Sequence, residues 1–410
     1  MRLGDAADML IGFAFKSSGF LDAGSEGVKL MRGDNVQQGF IRWGDKTKLW
    51  PSAEISGLEK YQLAENDVIL AMDRPIVDDG LKMAWVQPKD LPSLLVQRVC
   101  RLRGKSGVAE TSYLRYVLAA PEFSAHIQAV TTGANIPHIS GKDIAAYEFL
   151  LPEPDEQRQV VAVLSAYDDL IATNQRRIAL LEEAARRLYR EWFVHLRFPG
   201  HEAIKVTDGV PEGWGRKSLT DVADFINGFA FKPAHLQGVG FPVVKIPELR
   251  DGVSPKTPYN PGLIVPKRNH IDTGDVLFSW SGTLLVNEWS EGPALLNQHL
   301  FKVIAKSESH RRLVRFAVEA AIPQLVGHAV GATMQHIRRS ALVEHSMLVP
   351  STSIATAFAE HVDPMMDSVL ALKNQVRVLT EARDTLLPKL MSGQLDVSGI
   401  RLSQPGPYDR

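Results

Sequence analysis

Residues 3–16 read LGDAADMLIGFAFK, and residues 219–232 read LTDVADFINGFAFK. Nine of these fourteen positions are identical, and both stretches end in the same box, Gly12–Lys16 and Gly228–Lys232. Solenoid repeats recur every ~20–50 residues, so a period this long predicts two similar domains in one chain. The echo continues outward. LAENDVILAM at 63–72 corresponds to IDTGDVLFSW at 271–280, each a polar turn running into a strand-like apolar stretch. QRVCRL at 97–102 corresponds to QHLFKV at 298–303, and Gly133–Ile139 to Gly331–Ile337. The offset falls from 216 to 198 along the repeat, so frames recur while interiors diverge. Such a pair of domains suits two readers of different targets, and the commonest two-part partner of two-fold symmetry is duplex DNA.

With 410 residues the chain is long enough for two or three domains with real cores. One cysteine, Cys100, excludes an internal disulfide framework and fits the reducing cytoplasm. No apolar run approaches the ~20 residues of a membrane span, and Asp5 and Asp8 stand where a signal peptide would be basic and then apolar. The expectation is therefore a cytoplasmic protein with no membrane partner. Net charge is −1; residues 1–150 carry 17 Lys+Arg against 18 Asp+Glu, and residues 211–350 carry 15 against 12. Bulk charge does not hold such a chain on nucleic acid, so contact has to come from basic groups placed on one face.

After each repeat comes a heptad stripe. In the first copy it runs Val160, Leu164, Tyr167, Ile171, Asn174, Ile178, Leu181, Ala185, Leu188 and Trp192. In the second it runs Phe358, Val362, Met365, Val369, Leu372, Val376, Leu379, Arg383, Leu386 and Leu390. More than four heptads with charged residues between them predict two long helices packed on each other as an antiparallel coiled coil. Asn174, which corresponds to Leu372, is expected to set register; Arg383 marks either a fraying end or a contact with another chain. Pro364 is expected to kink or restart the second helix. Ser351, Thr352 or Ser353 is its cap, and Pro388 with Gly393 closes its far end. A helix of about 35 residues spans roughly 50 Å, more than the about 34–36 Å of one DNA turn. Antiparallel helices would thus set two readers on two short half-sites with an unread gap.

No catalytic constellation stands out. There is no Gly-rich cofactor loop after a strand, no phosphate-binding Walker loop and no metal-spaced Cys/His cluster. Asp67 and Asp275 recur before a strand, but without the carboxylate and lysine partners of a nuclease they read as turn-capping acids. His138 and His336 recur too, and read either as loop or core histidines or as groups touching DNA.

The stretch Glu191–Glu202 (EWFVHLRFPGHE), then Pro211-Glu212-Gly213-Trp214, Gly274–Gly282 (GDVLFSWSG), Leu387–Leu395 (LPKLMSGQL) and the two Gly-Phe-Ala-Phe-Lys boxes together resemble the DNA-specificity subunits of type I restriction–modification enzymes. Their order and spacing cover nearly the whole chain. The resemblance implies an α+β (mixed α/β) fold with two pseudo-symmetric target-recognition domains separated by the antiparallel helices. The boundaries are 1–152 for the first domain, 153–198 for the first helix, 199–350 for the second domain, 351–395 for the second helix and 396–410 for a tail. It further implies a chain without catalysis that binds a split, asymmetric double-stranded DNA target, docks two methyltransferase subunits on its helices and is joined by a motor-nuclease subunit. S-adenosylmethionine, ATP and Mg would then belong to those partners, with no cofactor or metal on this chain. The first domain opens directly at Met1-Arg2-Leu3, whereas the second is introduced by the Pro-Glu-Gly-Trp run, so either the N-terminus is shorter than usual for the family or its start is misassigned. The rival readings are a specificity subunit of a modification-only or other phage-defence complex, a coiled-coil scaffold that ignores DNA, and an enzyme hidden in the divergent middles.

DNA is read by Arg, Lys, Asn, Gln and His on loops. On that chemistry the candidates in the first domain are Lys16, Arg32, Arg42, Lys46, Lys48, Asn135 and His138. Those in the second are Lys232, Lys245, Arg250, Lys256, Lys267, Arg268, Gln335 and His336. Phe13, Phe15, Phe229 and Phe231 read as core anchors.

Overall fold

Val68–Ala71 is four buried residues in a row, the mark of a strand covered on both faces. Side chains alternate along a strand. Val68 and Leu70 accordingly enter one core with Tyr113, Leu114 and Phe123 from the helices Thr111–Ala119 and Pro121–Val130. Ile69 and Ala71 enter a second with Met31, Leu95 and Val99. The computed structural model describes residues 1–77, 80–133, 137–327, 337–397 and 399. In it, Val68–Ala71 belongs to an antiparallel sheet ordered Ala7–Ile11, Val99–Gly104, Val68–Ala71, Met83–Trp85. A smaller sheet is ordered Leu21–Asp22, Lys48–Trp50, Val28–Met31, Ser93–Leu95, its last two strands parallel.

The second copy repeats this plan. Its antiparallel sheet runs Ala223–Asn227, Leu300–Ala305, Val276–Ser279, Val286–Glu288. Its smaller sheet runs Tyr259–Asn260, Phe241–Val244, Ala294–Leu296, His270–Ile271, again with one parallel pair, Phe241–Val244 beside Ala294–Leu296. Val276 and Phe278 face the helix Arg311–Gly327 through Phe316 and Ala317, and Leu277 faces Val244 and Leu296. The fold is the duplicated α+β architecture expected from the sequence.

The long helices are Pro154–Tyr189 and Thr352–Met391. The chain gathers into two compact units, Met1–Asp169 with the chain from Thr380 onward, and Leu170–Leu379, so each unit takes part of both helices. Within the first unit, Val160 and Leu164 pack with Leu387 and Leu390 in the same core as Tyr113. Arg383 Nη1 donates to Asp168 Oδ1 at 2.9 Å. Within the second, Ala185, Tyr189 and Trp192 pack with Phe358, Val362, Met366 and Val369. Asn174 Nδ2 donates to Gln375 Oε1 at 3.3 Å, and Lys373 meets Glu182 at 3.1 Å. The helices thus run antiparallel in each unit and are built into that unit's own core.

Ile171 and Leu372 are buried on the seam, while Tyr167, Ile178, Leu181, Leu188, Val376, Leu379 and Leu386 are half-buried. At two positions the stripe slips by one residue. Met366 is buried where Met365 was expected, and Leu387 where Leu386 was expected. Both slips are local, since Val369, Leu372 and Leu390 keep the expected positions, and Met366 and Leu387 are drawn into the cores of their own units. Arg383 is not at a frayed end, because Asp168 holds it. The restart expected at Pro364 does not occur, and the helix runs unbroken through it. Pro364 and Glu360 are both exposed, so solvent can satisfy the carbonyl that proline leaves without a donor. At the far end Gly393, at φ +69, closes a Schellman motif: Gln394 N–H donates to Lys389 O and Gly393 N–H to Leu390 O. The first helix ends differently, in a π-helical turn Arg190–Val194 that presses Trp192 and Phe193 onto Phe358. No helix among the described residues is long and apolar enough to cross a membrane.

Candidate nucleic-acid interface

The repeated boxes owe their glycines to a close approach of backbone. Phe13 bridges Val96 in parallel, and Phe229 bridges Asn297 in the same way. A Cβ on Gly12 would lie 2.2 Å from the Val96 carbonyl oxygen, and one on Gly228 would lie 2.1 Å from that of Asn297. Around this point the two units share a backbone ladder. Gly12 N–H donates to Val99 O as Gly228 does to Leu300 O, and Gln97 N–H donates to Phe13 O as Gln298 does to Phe229 O. Met72 N–H donates to Arg98 O and Trp280 N–H to His299 O; Ile139 N–H donates to Met72 O and Ile337 N–H to Trp280 O. The frame is therefore the same to the level of single hydrogen bonds, and equivalent positions can be read across it.

Along one edge of that frame the side chains change. Asp73, Arg74 and Arg98 of the first unit stand where the second has Ser281, Gly282 and His299. Arg74 has φ +46 and Arg98 φ +70, both in the left-handed region, and Gly282, the counterpart of Arg74, has φ +63. A non-glycine residue there costs about 1–3 kcal/mol. Arg74 N–H donates to Pro137 O at 2.6 Å, next to the Thr132–His138 backbone pair. Arg98 is exposed and only 3.8 Å from Asp73. Nearby, burial pushes the Lys82 ammonium below its ordinary value, and Arg74 and Arg42 push the same way against Asp34 and Asp73. In the second unit Ser281 Oγ and His299 Nδ1 lie 3.1 Å apart, and the Trp280 ring packs against His299.

The sequence candidates divide by what already holds them. Lys48 is paired with Asp22, Arg32 with Asp34 and Arg250 with Asp251. Lys256 also has an interaction partner. Lys16, Arg42, Lys46, Lys232, Lys245, Lys267 and Arg268 form no ion pair among the described residues, which leaves their charge available to phosphate. His138 lies on the short bridge with Asp73 and Thr132. Asn135, Gln335 and His336 lie outside the described residues. Asn35, by contrast, is a staple: its side chain accepts from Arg32 N–H and donates to Arg42 O. Sequence reasoning passed over Arg74, Lys82 and Arg98; the available signal was an arginine aligned with Gly282.

The duplicated acids are structural. Asp67 accepts from Ala64 N–H and pairs with Arg103; Asp275 accepts from Asp272 N–H and pairs with Lys302 at 2.7 Å. Phe15 is buried, whereas Phe13 is 39% exposed, so not all four box aromatics are core anchors. Burial pushes the Cys100 thiol up to about 12, far from a reactive thiolate. Among the described residues no cluster of three or more His, Cys, Asp or Glu side chains is placed to hold a metal ion.

Two copies of one α+β frame that mount different side chains on an equivalent edge define a duplicated recognition protein. The chain belongs to the type I restriction–modification specificity family: the type I restriction modification DNA specificity domain matches residues 16–183 and again residues 211–378. It is 37% identical over 175 residues to the EcoAI specificity subunit of Escherichia coli, a match spanning 42% of this chain and 28% of that protein. To the MjaIX specificity subunit of Methanocaldococcus jannaschii it is 25% identical over 319 residues, 72% of this chain and 71% of that one. The crystal structure of the type I restriction–modification S subunit from M. genitalium shares the fold, with TM-score 0.59 and 13% identity over 95% of each chain.

Proposed function

We propose that this chain is the non-catalytic specificity subunit of a type I restriction–modification enzyme, in which each unit reads one half of a split, asymmetric duplex target. The observation that carries this reading is the shared frame with changed edge residues, since readers of two different half-sites need a common scaffold and different side chains. On this reading the exposed faces of Pro154–Tyr189 and Thr352–Met391 dock two methyltransferase subunits, and a motor-nuclease subunit completes the restriction enzyme. Leu170, Leu180 and Val378, exposed apolar residues on those helices, suit protein contact. S-adenosylmethionine, ATP and Mg serve the partner chains, and the complex works in the cytoplasm, where its DNA is.

The test uses the full chain with and without its methyltransferase. The chain alone is expected neither to methylate nor to cut. The complex is expected to bind one duplex sequence selectively, with log affinity falling by about 0.9 per phosphate contact for each decade of salt. Turnover by the chain alone, or binding that ignores sequence at every salt concentration, contradicts the proposal.

A further inference from the structure

We infer that Arg74 and Arg98 are base-reading residues of the first unit, each presenting its guanidinium fork to a guanine in the half-site which that unit reads. The inference rests on the proposed function and adds the residues and the base.

Three observations converge on it. Both arginines sit at turns that the frame fixes through Met72, whose N–H donates to Arg98 O and whose carbonyl accepts from Ile139 N–H. Both hold a left-handed backbone that glycine adopts at no steric cost; the second unit places Gly282, also left-handed, at the position of Arg74, whereas His299, at the position of Arg98, has no positive φ, so the backbone departs from the shared frame at Arg98. A strained arginine maintained where the fold itself is satisfied by glycine points to a use for the side chain. Finally, both side chains are free to act. Arg74 is exposed with no ion pair among the described residues, and Arg98 is 59% exposed in an ion pair with Asp73 that is too long, at 3.8 Å, for a hydrogen bond.

The chemistry selects guanine. Its major-groove edge presents two acceptors, N7 and O6, at the spacing of the guanidinium fork, and this bidentate pair is the commonest specific contact of arginine. A lysine keeps the charge but loses the fork. The second unit, with His299 and Ser281 in place of Arg98 and Asp73, has no such fork at this edge and is expected to accept a different base there.

The full chain and its methyltransferase partner are used to map methylated sites across a genome for the parent, Arg74→Gly, Arg98→Gly and Arg98→Lys. Glycine relieves the left-handed backbone, so both glycine variants are expected to melt within a few degrees of the parent. Each is expected to lose roughly tenfold or more of its preference for guanine at one position of one half-site, with the other half unchanged. Arg98→Lys is expected to lose the same preference while keeping its charge. An unchanged map overturns the inference. So does an even weakening at every site with preference intact, which is the mark of a phosphate contact, or a large fall in melting temperature, which is the mark of a structural role. If the parent complex itself methylates no split sequence, the proposed function fails instead, and the parent map separates the two failures.

Discussion

Gly12 and Gly228 show how a single missing Cβ sets the frame. Alanine at either position would drive its methyl group into a carbonyl oxygen of the neighbouring strand. Gly12→Ala is expected to destabilise the chain by roughly 1–3 kcal/mol in urea denaturation, while Gly44→Ala, with open space around it, is expected to change it little. The box was legible as a repeat, but its meaning was not. Sequence reasoning weighed its lysines and phenylalanines, whereas the constrained residue is the glycine. Arg74 left only one mark in the sequence, its alignment with Gly282, and Arg98 left none, since a backbone angle does not show in composition. Two histidines add a pH dependence. Burial lowers the imidazole pKa of both His310 and His345 below the ordinary 6.5. The unfolded chain therefore takes up these protons first, and stability, full above pH 6.5, falls as the pH drops toward the lowered folded values. Melting followed from pH 7.5 to 5.5 is expected to show this loss, and His345→Gln to reduce it.

At the scale of elements, the long helices were the most legible part of the chain, because a heptad pattern over some 36–40 residues leaves few alternatives. The one-residue slips at Met366 and Leu387 were not legible, because each of these side chains is buried in its unit's core, which the stripe alone does not reveal. Strands of two to four residues, such as Leu21–Asp22 or Tyr259–Asn260, were hidden because pairing partners far along the chain define them. The sequence likewise gave no sign of the charge network that ties the second unit's helix Arg311–Gly327 to Thr352–Met391. Arg312, 2% exposed, reaches Glu288 at 2.6 Å, Asp363 at 2.5 Å and Asp367 at 2.9 Å. Arg312→Ala would leave the buried Glu288 carboxylate without this partner. The expected loss is about 3–5 kcal/mol in urea denaturation, and replacing both residues (Arg312→Met with Glu288→Gln) is expected to cost less. Equal losses for the single and double variants would show that the pair matters little.

For the whole molecule, the duplication was readable from fourteen residues, and the two units confirm it in the strand order of the antiparallel sheet, in a parallel strand pair within each smaller sheet and in matched hydrogen bonds. What each edge would read under the proposed function was not, because the shared frame sets the positions of the edge side chains while their types diverge. The central claim is that the two units read independently. Its most direct measurement is a genome-wide map of methylated bases for the chain with its methyltransferase partner, before and after residues 1–152 are replaced by the corresponding domain of a relative. One half of the methylated sequence is expected to change while the other stays the same. A map in which both halves change together, or neither does, contradicts the claim.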